Sequence, residues 1–68
     1  MTAERVRTLL LRGDNLLKSG RPERFDRALA AFEEARAAAA DDDVAPEVAA
    51  LVERRIATLH ALQAGEGA

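Results

Sequence analysis

The side chains that could do chemistry in this chain are a single histidine and a short acidic run. His60 stands alone, whereas a metal site needs several ligands and a general base needs a nucleophile or an orienting group nearby. The run Asp41–Asp43 with Glu47 could attract a cation, but it lacks the alternating ligands and the mid-loop glycine of a calcium loop. We therefore expect a solvated histidine and a solvated acidic loop. We expect no metal, no cofactor and no enzymatic activity.

Arg55 and Leu11 depart from the helical pattern around them. By helical angle, Arg55 falls in the middle of an apolar stripe. In one interpretation its stem lies on the core and its guanidinium reaches solvent or a nearby acid. The acids considered for that pair are Asp26, Glu33 and Glu34. In the other, this face is an interface and Arg55 pairs with a carboxylate across it.

Leu11 lies opposite the apolar stripe of its own helix. It is either a single exposed leucine, which is common, or the anchor of a contact with another protein. Leu11, Arg55 and two apolar residues on the helix of Arg55 form a candidate interface. Its members are Leu11, Arg55, Leu59 and Leu62.

Three amphipathic helices must position these side chains. Apolar residues recur every three or four positions, the spacing that places them on one face of a helix. The predicted helices cover about residues 3–19, 22–40 and 44–64, followed by a disordered tail over residues 65–68. Connections this short make neighbouring helices antiparallel. The sequence therefore predicts an all-α fold with three helices in an up-down-up arrangement.

Terminating residues and one long apolar stripe support these boundaries. Gly20 suits the end of the first helix, Pro22 the first turn of the second, and Asp43 a cap on the third. The buried stripe of the third helix is predicted as Val48, Leu51, Val52, Leu59 and Leu62, flanked by Ile56.

The first two helices carry small residues where they would touch and large residues around them. The segments are GDNLLKSG, residues 13–20, and FDRALAAFEEA, residues 25–35. They resemble the G-N-x-x-Y-x-x-G and Y-x-E-A-x-x-x-Y-x-x-A patterns of the two helices of a tetratricopeptide repeat. The residues that match this helix-packing signature are Gly13, Leu16, Gly20, Phe25, Ala28, Phe32 and Ala35. The resemblance implies a helical hairpin that binds other proteins.

The chain also departs from the tetratricopeptide pattern. The turn GRPERF is longer than the family's common form, and the proline expected near residue 40 comes later, as Pro46. Only one repeat is clear, and helical arrays of this kind usually need three or more. We interpret the third helix as a cap on the hairpin; a first helix of a second repeat and an unrelated three-helix bundle are the alternatives.

The charge of the chain is small overall but uneven along its length. The net charge is −2, yet residues 1–27 hold seven of the ten Lys and Arg, while residues 28–47 hold six acids. One interpretation is a set of solvated helix faces; another is a molecule whose two ends attract, which would favour antiparallel self-association. The early cations also leave open a small DNA-binding or regulatory domain, although the acidic net charge disfavours nucleic acid.

Protein binding is the function that these patterns favour. Sixty-eight residues bury only a small core, so a partner or a second copy would supply missing cover. We expect a protein or peptide partner or a homo-oligomer, with a dimer preferred, and neither nucleic acid nor membrane. No apolar run approaches the length of a membrane span and no signal-peptide pattern opens the chain, so we expect a cytoplasmic protein.

Overall fold

The computed structural model describes residues 2–67, with side chains through residue 65. It contains three helices: α1 at Thr2–Leu17, α2 at Arg24–Ala39 and α3 at Pro46–Gly67. The predicted all-α, three-helix arrangement is thereby confirmed. α1 and α2 pack closely as a hairpin, and α3 packs mainly on α2 while touching α1 little. No helix within residues 2–67 is both long enough and apolar enough to cross a membrane.

The turn between α1 and α2 is longer than predicted at both of its ends. The Lys18 N–H still bonds to the Asp14 carbonyl at 3.2 Å, but the Ser19 N–H turns to the Leu16 carbonyl at 3.1 Å. Gly20 then adopts a φ of +74°, a conformation that costs glycine little. Residues 22 and 23 form a further turn, so α2 begins at Arg24 rather than at residue 22.

In the loop before α3, Asp43 does not have the predicted role of a cap on the helix. The side chain of Asp41 accepts a 2.9 Å hydrogen bond from the Asp43 N–H, and its carbonyl accepts one of 3.0 Å from the Val44 N–H. Asp43 is therefore held in a turn and does not cap the helix. α3 begins at Pro46. The helical conformation is disfavoured for a residue that precedes proline, and Ala45 precedes Pro46.

The carboxyl end of α3 also differs from the prediction. Residues 65–67, predicted as part of a disordered tail, continue the helix to Gly67, whereas Ala68 lies outside the described residues. A glycine in a helix costs up to about 1 kcal/mol but removes no backbone donor, so Gly65 weakens the helix without ending it.

One apolar core joins the three helices. Phe32, Ala28 and Ala35 of α2 are fully buried at its centre, with Val6 of α1 and Val52 of α3 on either side. Val44 is also buried, so the α2–α3 loop is anchored in this core.

The inward stripe of α3 is narrower than predicted. Val52, Ile56 and Leu59 are buried, so Ile56 lies in the stripe rather than beside it. Leu51 and Leu62, predicted as core residues, are 36% and 50% exposed. α3 leans on α2, and the side of α3 that carries these two leucines therefore turns towards α1 instead of into the core.

Candidate functional site

A groove runs between α1 and α3, where the two helices stand apart. Two cavities, of about 300 and 400 Å³, lie along it and share Asp14 and Arg55 in their walls. We call this surface the α1/α3 groove. Its lining residues are Arg7, Leu10, Leu11, Asp14, Leu17, Lys18, Phe32, Leu51, Arg55, Thr58 and Leu62.

The order of residues along the groove shows that α1 and α3 run in the same direction. Leu11 shares one cavity with Leu51, and Lys18 shares the other with Leu62. From the first pair to the second, the residue numbers rise along both α1 and α3. This parallel course is what an up-down-up topology produces.

An ion pair crosses the middle of the groove. Arg55 Nε lies 3.3 Å from Asp14 Oδ1, and both side chains are partly exposed. Nε itself is buried without a hydrogen-bond partner, so the contact is electrostatic and lacks the alignment of a hydrogen bond. The acids expected from the sequence, Asp26, Glu33 and Glu34, were the wrong choices. Asp14 is the partner because it lies on the side of α1 that faces α3.

The large apolar side chains left exposed all line this groove. Leu11 is 60% exposed, Leu62 is 50% exposed and Leu51 is 36% exposed, and no other large apolar side chain within the described chain is exposed. Isolated exposed leucines need no explanation, but a group of them around one groove is typical of a contact surface. The structure thus places Leu11, Arg55 and Leu62, three members of the predicted interface, along one groove.

One member of the predicted interface lies elsewhere, and one was missed. Leu59 is fully buried in the core, so it supports α3 and offers no accessible contact. Leu51 belongs to the groove but was assigned to the buried stripe. The signal that could have found it is its position four residues before Arg55, which places both on the same side of α3.

The helix-packing signature holds the hairpin beneath this groove. Gly13 is buried against Phe32, and a Cβ added to it would overlap the ring, at 2.7 Å from Cδ1 and Cζ and closer still to Cε1. Ala28 and Ala35 are fully buried, while Leu16 and Phe25 are partly buried against the core. The glycine therefore lets α1 approach α2 closely enough for Phe32 to reach the floor of the groove.

A bidentate ion pair fastens α3 to α2 on another side. Arg36 Nε and Nη2 each donate a 2.8 Å hydrogen bond to Glu53, to Oε2 and Oε1 respectively. These hydrogen bonds, aided by the attraction between the charges, hold the pKa of Glu53 below its ordinary value. They also raise the pKa of Arg36 above its ordinary value. Both side chains are exposed, so the pair orients α3 more than it stabilises the fold.

The cations outside the groove are dispersed, and several lie beside acids. Arg5 lies 3.8 Å from Glu34, and Arg27 lies 4.0 Å from Glu23. His60 is exposed. Within residues 2–67, no group of three or more His, Cys, Asp or Glu side chains is placed to hold a metal ion.

Comparison of the chain with protein-family models, with curated proteins and with solved structures gave no match. The helical hairpin is a feature of the structure, and its assignment to the tetratricopeptide family stays a prediction.

Proposed function

We propose that this chain is a non-enzymatic protein–protein interaction module that uses the α1/α3 groove as its contact surface, either for a second copy or for another protein. The observation that carries the proposal is the convergence of Leu11, Leu51 and Leu62 on one groove. Burial of apolar area drives most protein association, and each leucine side chain gains about 1.5–3 kcal/mol when it is fully removed from water.

The middle of the groove suits recognition as well as burial. The Arg55 guanidinium lies within ion-pair distance of Asp14 and beside the exposed leucines, so a cation is already placed in the groove before a partner arrives. Arginine among apolar side chains is typical of the energetic centre of protein interfaces. A polar pair inside an apolar surface also disfavours partners that would leave it unsatisfied.

The size of the fold supports the same function. α1 and α2 alone have too little core for an isolated hairpin, and α3 covers only part of their inner face. A partner in the α1/α3 groove would add the missing layer. We place this module in the cytoplasm as part of the proposal.

Site-specific photo-crosslinking in the cells that express the chain tests this function. A photoreactive amino acid replaces Leu11, Leu51 or Leu62 in turn, and crosslinked products are identified by mass spectrometry. We expect the same polypeptide, either this chain or another protein, at all three positions.

The control positions are Ala57 and His60, which are exposed on α3 but do not line the groove. Products that form equally at the control positions, or no product at any leucine, would contradict the proposed function.

A further inference from the structure

We propose that the partner at the mouth of the α1/α3 groove is a second copy of this chain, docked antiparallel through the outer face of α1 about a two-fold axis near Leu11. This inference rests on the proposed function and names its partner. The observation behind it is a self-complementary order of charges along α1.

The outer face of α1 carries an acid, a leucine and a base at equal spacing. Glu4, Leu11 and Lys18 follow each other at intervals of seven residues, so they lie along one side of the helix with about 10.5 Å between neighbours. All of them are exposed. Lys18 directly follows the last residue of α1, but its N–H still bonds to Asp14 at 3.2 Å, which keeps it in helical register. Neither Glu4 nor Lys18 pairs with an opposite charge among the described residues.

A two-fold axis through the centre of this stripe pairs every position with a suitable partner. Leu11 of one copy meets Leu11 of the other, while Glu4 of each copy lies opposite Lys18 of the other. Arg7 and Asp14 are also seven residues apart, on the groove side of the same face, so the axis brings each Arg7 towards the other copy's Asp14. An isologous contact of this kind satisfies both copies at once.

The same charges exclude the parallel alternative. If two α1 helices met in parallel, Glu4 would face Glu4 and Lys18 would face Lys18, and like charges placed together oppose association. The order of charges therefore selects the orientation, while the leucines supply the apolar contact.

The dimer must bury a modest share of the surface of each copy. A specific interface buries at least about 1,200 Å² in total, or roughly 600 Å² from each copy. The chain exposes 4640 Å², so about an eighth of its surface is required. The second copy's α1 would lie along the mouth of the groove, where Leu51 adds to the contact made by Leu11.

Charge reversal tests this arrangement, with sedimentation equilibrium at low salt as the measurement. The wild-type chain should approach twice its monomer mass of 7.3 kDa as its concentration rises. E4K and K18E should each dissociate more readily, by about tenfold or more in the dissociation constant, because each change places like charges together twice in the dimer. An equimolar mixture of E4K and K18E should form a heterodimer, and the double variant E4K/K18E should recover the homodimer.

The control is D42K, a charge reversal at an exposed position in the α2–α3 loop, which should dimerise like the wild-type chain. Circular dichroism of every variant confirms that the helices remain. Dimers that persist in E4K and K18E alone, or a mixture of the two that stays monomeric, would overturn the antiparallel arrangement. A wild-type chain that stays monomeric would overturn the second copy as occupant; the proposed function would then stand only if the groove positions crosslink to a different protein, and it would fall if they do not.

Discussion

The contact between Gly13 and Phe32 determines how closely the first two helices approach. The ring of a fully buried phenylalanine fills the space where any other residue would place a Cβ. Interiors are packed to crystal-like density, so such a position tolerates little added volume. This contact could be predicted, because a glycine within an apolar stripe, matched by an aromatic residue in the next helix, indicates close approach.

Gly13→Ala should destabilise the chain by about 1–2 kcal/mol, because overpacking costs more than the gain in helix propensity, which is at most about 1 kcal/mol. Chemical denaturation monitored by circular dichroism measures the change. The double variant G13A/F32L should be more stable than the sum of its single changes predicts, because the smaller side chain makes room for the new Cβ. A G13A chain more stable than the wild-type chain would show that α1 and α2 are not in close contact here.

The ion-pair partner of Arg55 could not be predicted from the sequence. Helical angle placed Arg55 correctly beside apolar neighbours, but the choice of its acid depends on how α3 is rotated against α1. That rotation follows from the whole core, in which Ile56 turns inward and Leu51 turns out. The apolar periodicity of α3 fits several rotations of this helix that differ by a few tens of degrees, so it does not decide between them.

The helices themselves were predicted well, and their ends were not. Apolar spacing identified all three helices, because a stripe over many residues is a strong signal. The ends depend on local competition instead: the Asp41 side chain bonds to the loop backbone, and Pro46 restricts the residue before it. Several residues in each loop could have served as the cap.

The exposed ion pair between α2 and α3 makes a small contribution to the stability of the fold, and this contribution is sensitive to acid. The lowered pKa of Glu53 means that the folded state favours its charged form. The stabilisation it gives is therefore fully present above the ordinary glutamate value of 4.5 and is lost as the pH falls through the lower pKa of the folded state. The raised pKa of Arg36 changes nothing in this range, because arginine stays charged throughout.

Thermal unfolding of the wild-type chain and of E53Q over a pH series measures this effect. The wild-type chain should have the higher Tm at neutral pH, and the difference should shrink as the pH falls below 4.5. D42N, which removes an unpaired loop carboxylate, serves as the control. A difference between the wild-type chain and E53Q that is constant with pH would show that the charge of Glu53 does not contribute to the stability of the fold.

Within residues 2–67, the three helices form one core and leave the apolar α1/α3 groove without cover. The sequence predicted an interaction module from its composition and resemblance, but it distributed the candidate contacts over two separate helices. The parallel course of α1 and α3 joins them, since it aligns Leu11 with Leu51 and Lys18 with Leu62. The proposed function depends on this alignment, whereas the orientation of the proposed dimer depends on the order of charges along α1.

Association of two copies along α1 is tested by the concentration dependence of the backbone amide chemical shifts of the intact chain, measured from about 20 μM to about 1 mM. We predict progressive shifts around Glu4, Leu11, Lys18 and Leu51, with the outward face of α3 at Ala57 and Ala61 unchanged. Shifts concentrated on the opposite side of the hairpin, around Arg12 and Arg27, or no shift at any concentration, would contradict the claim that copies of this chain meet at the α1/α3 groove.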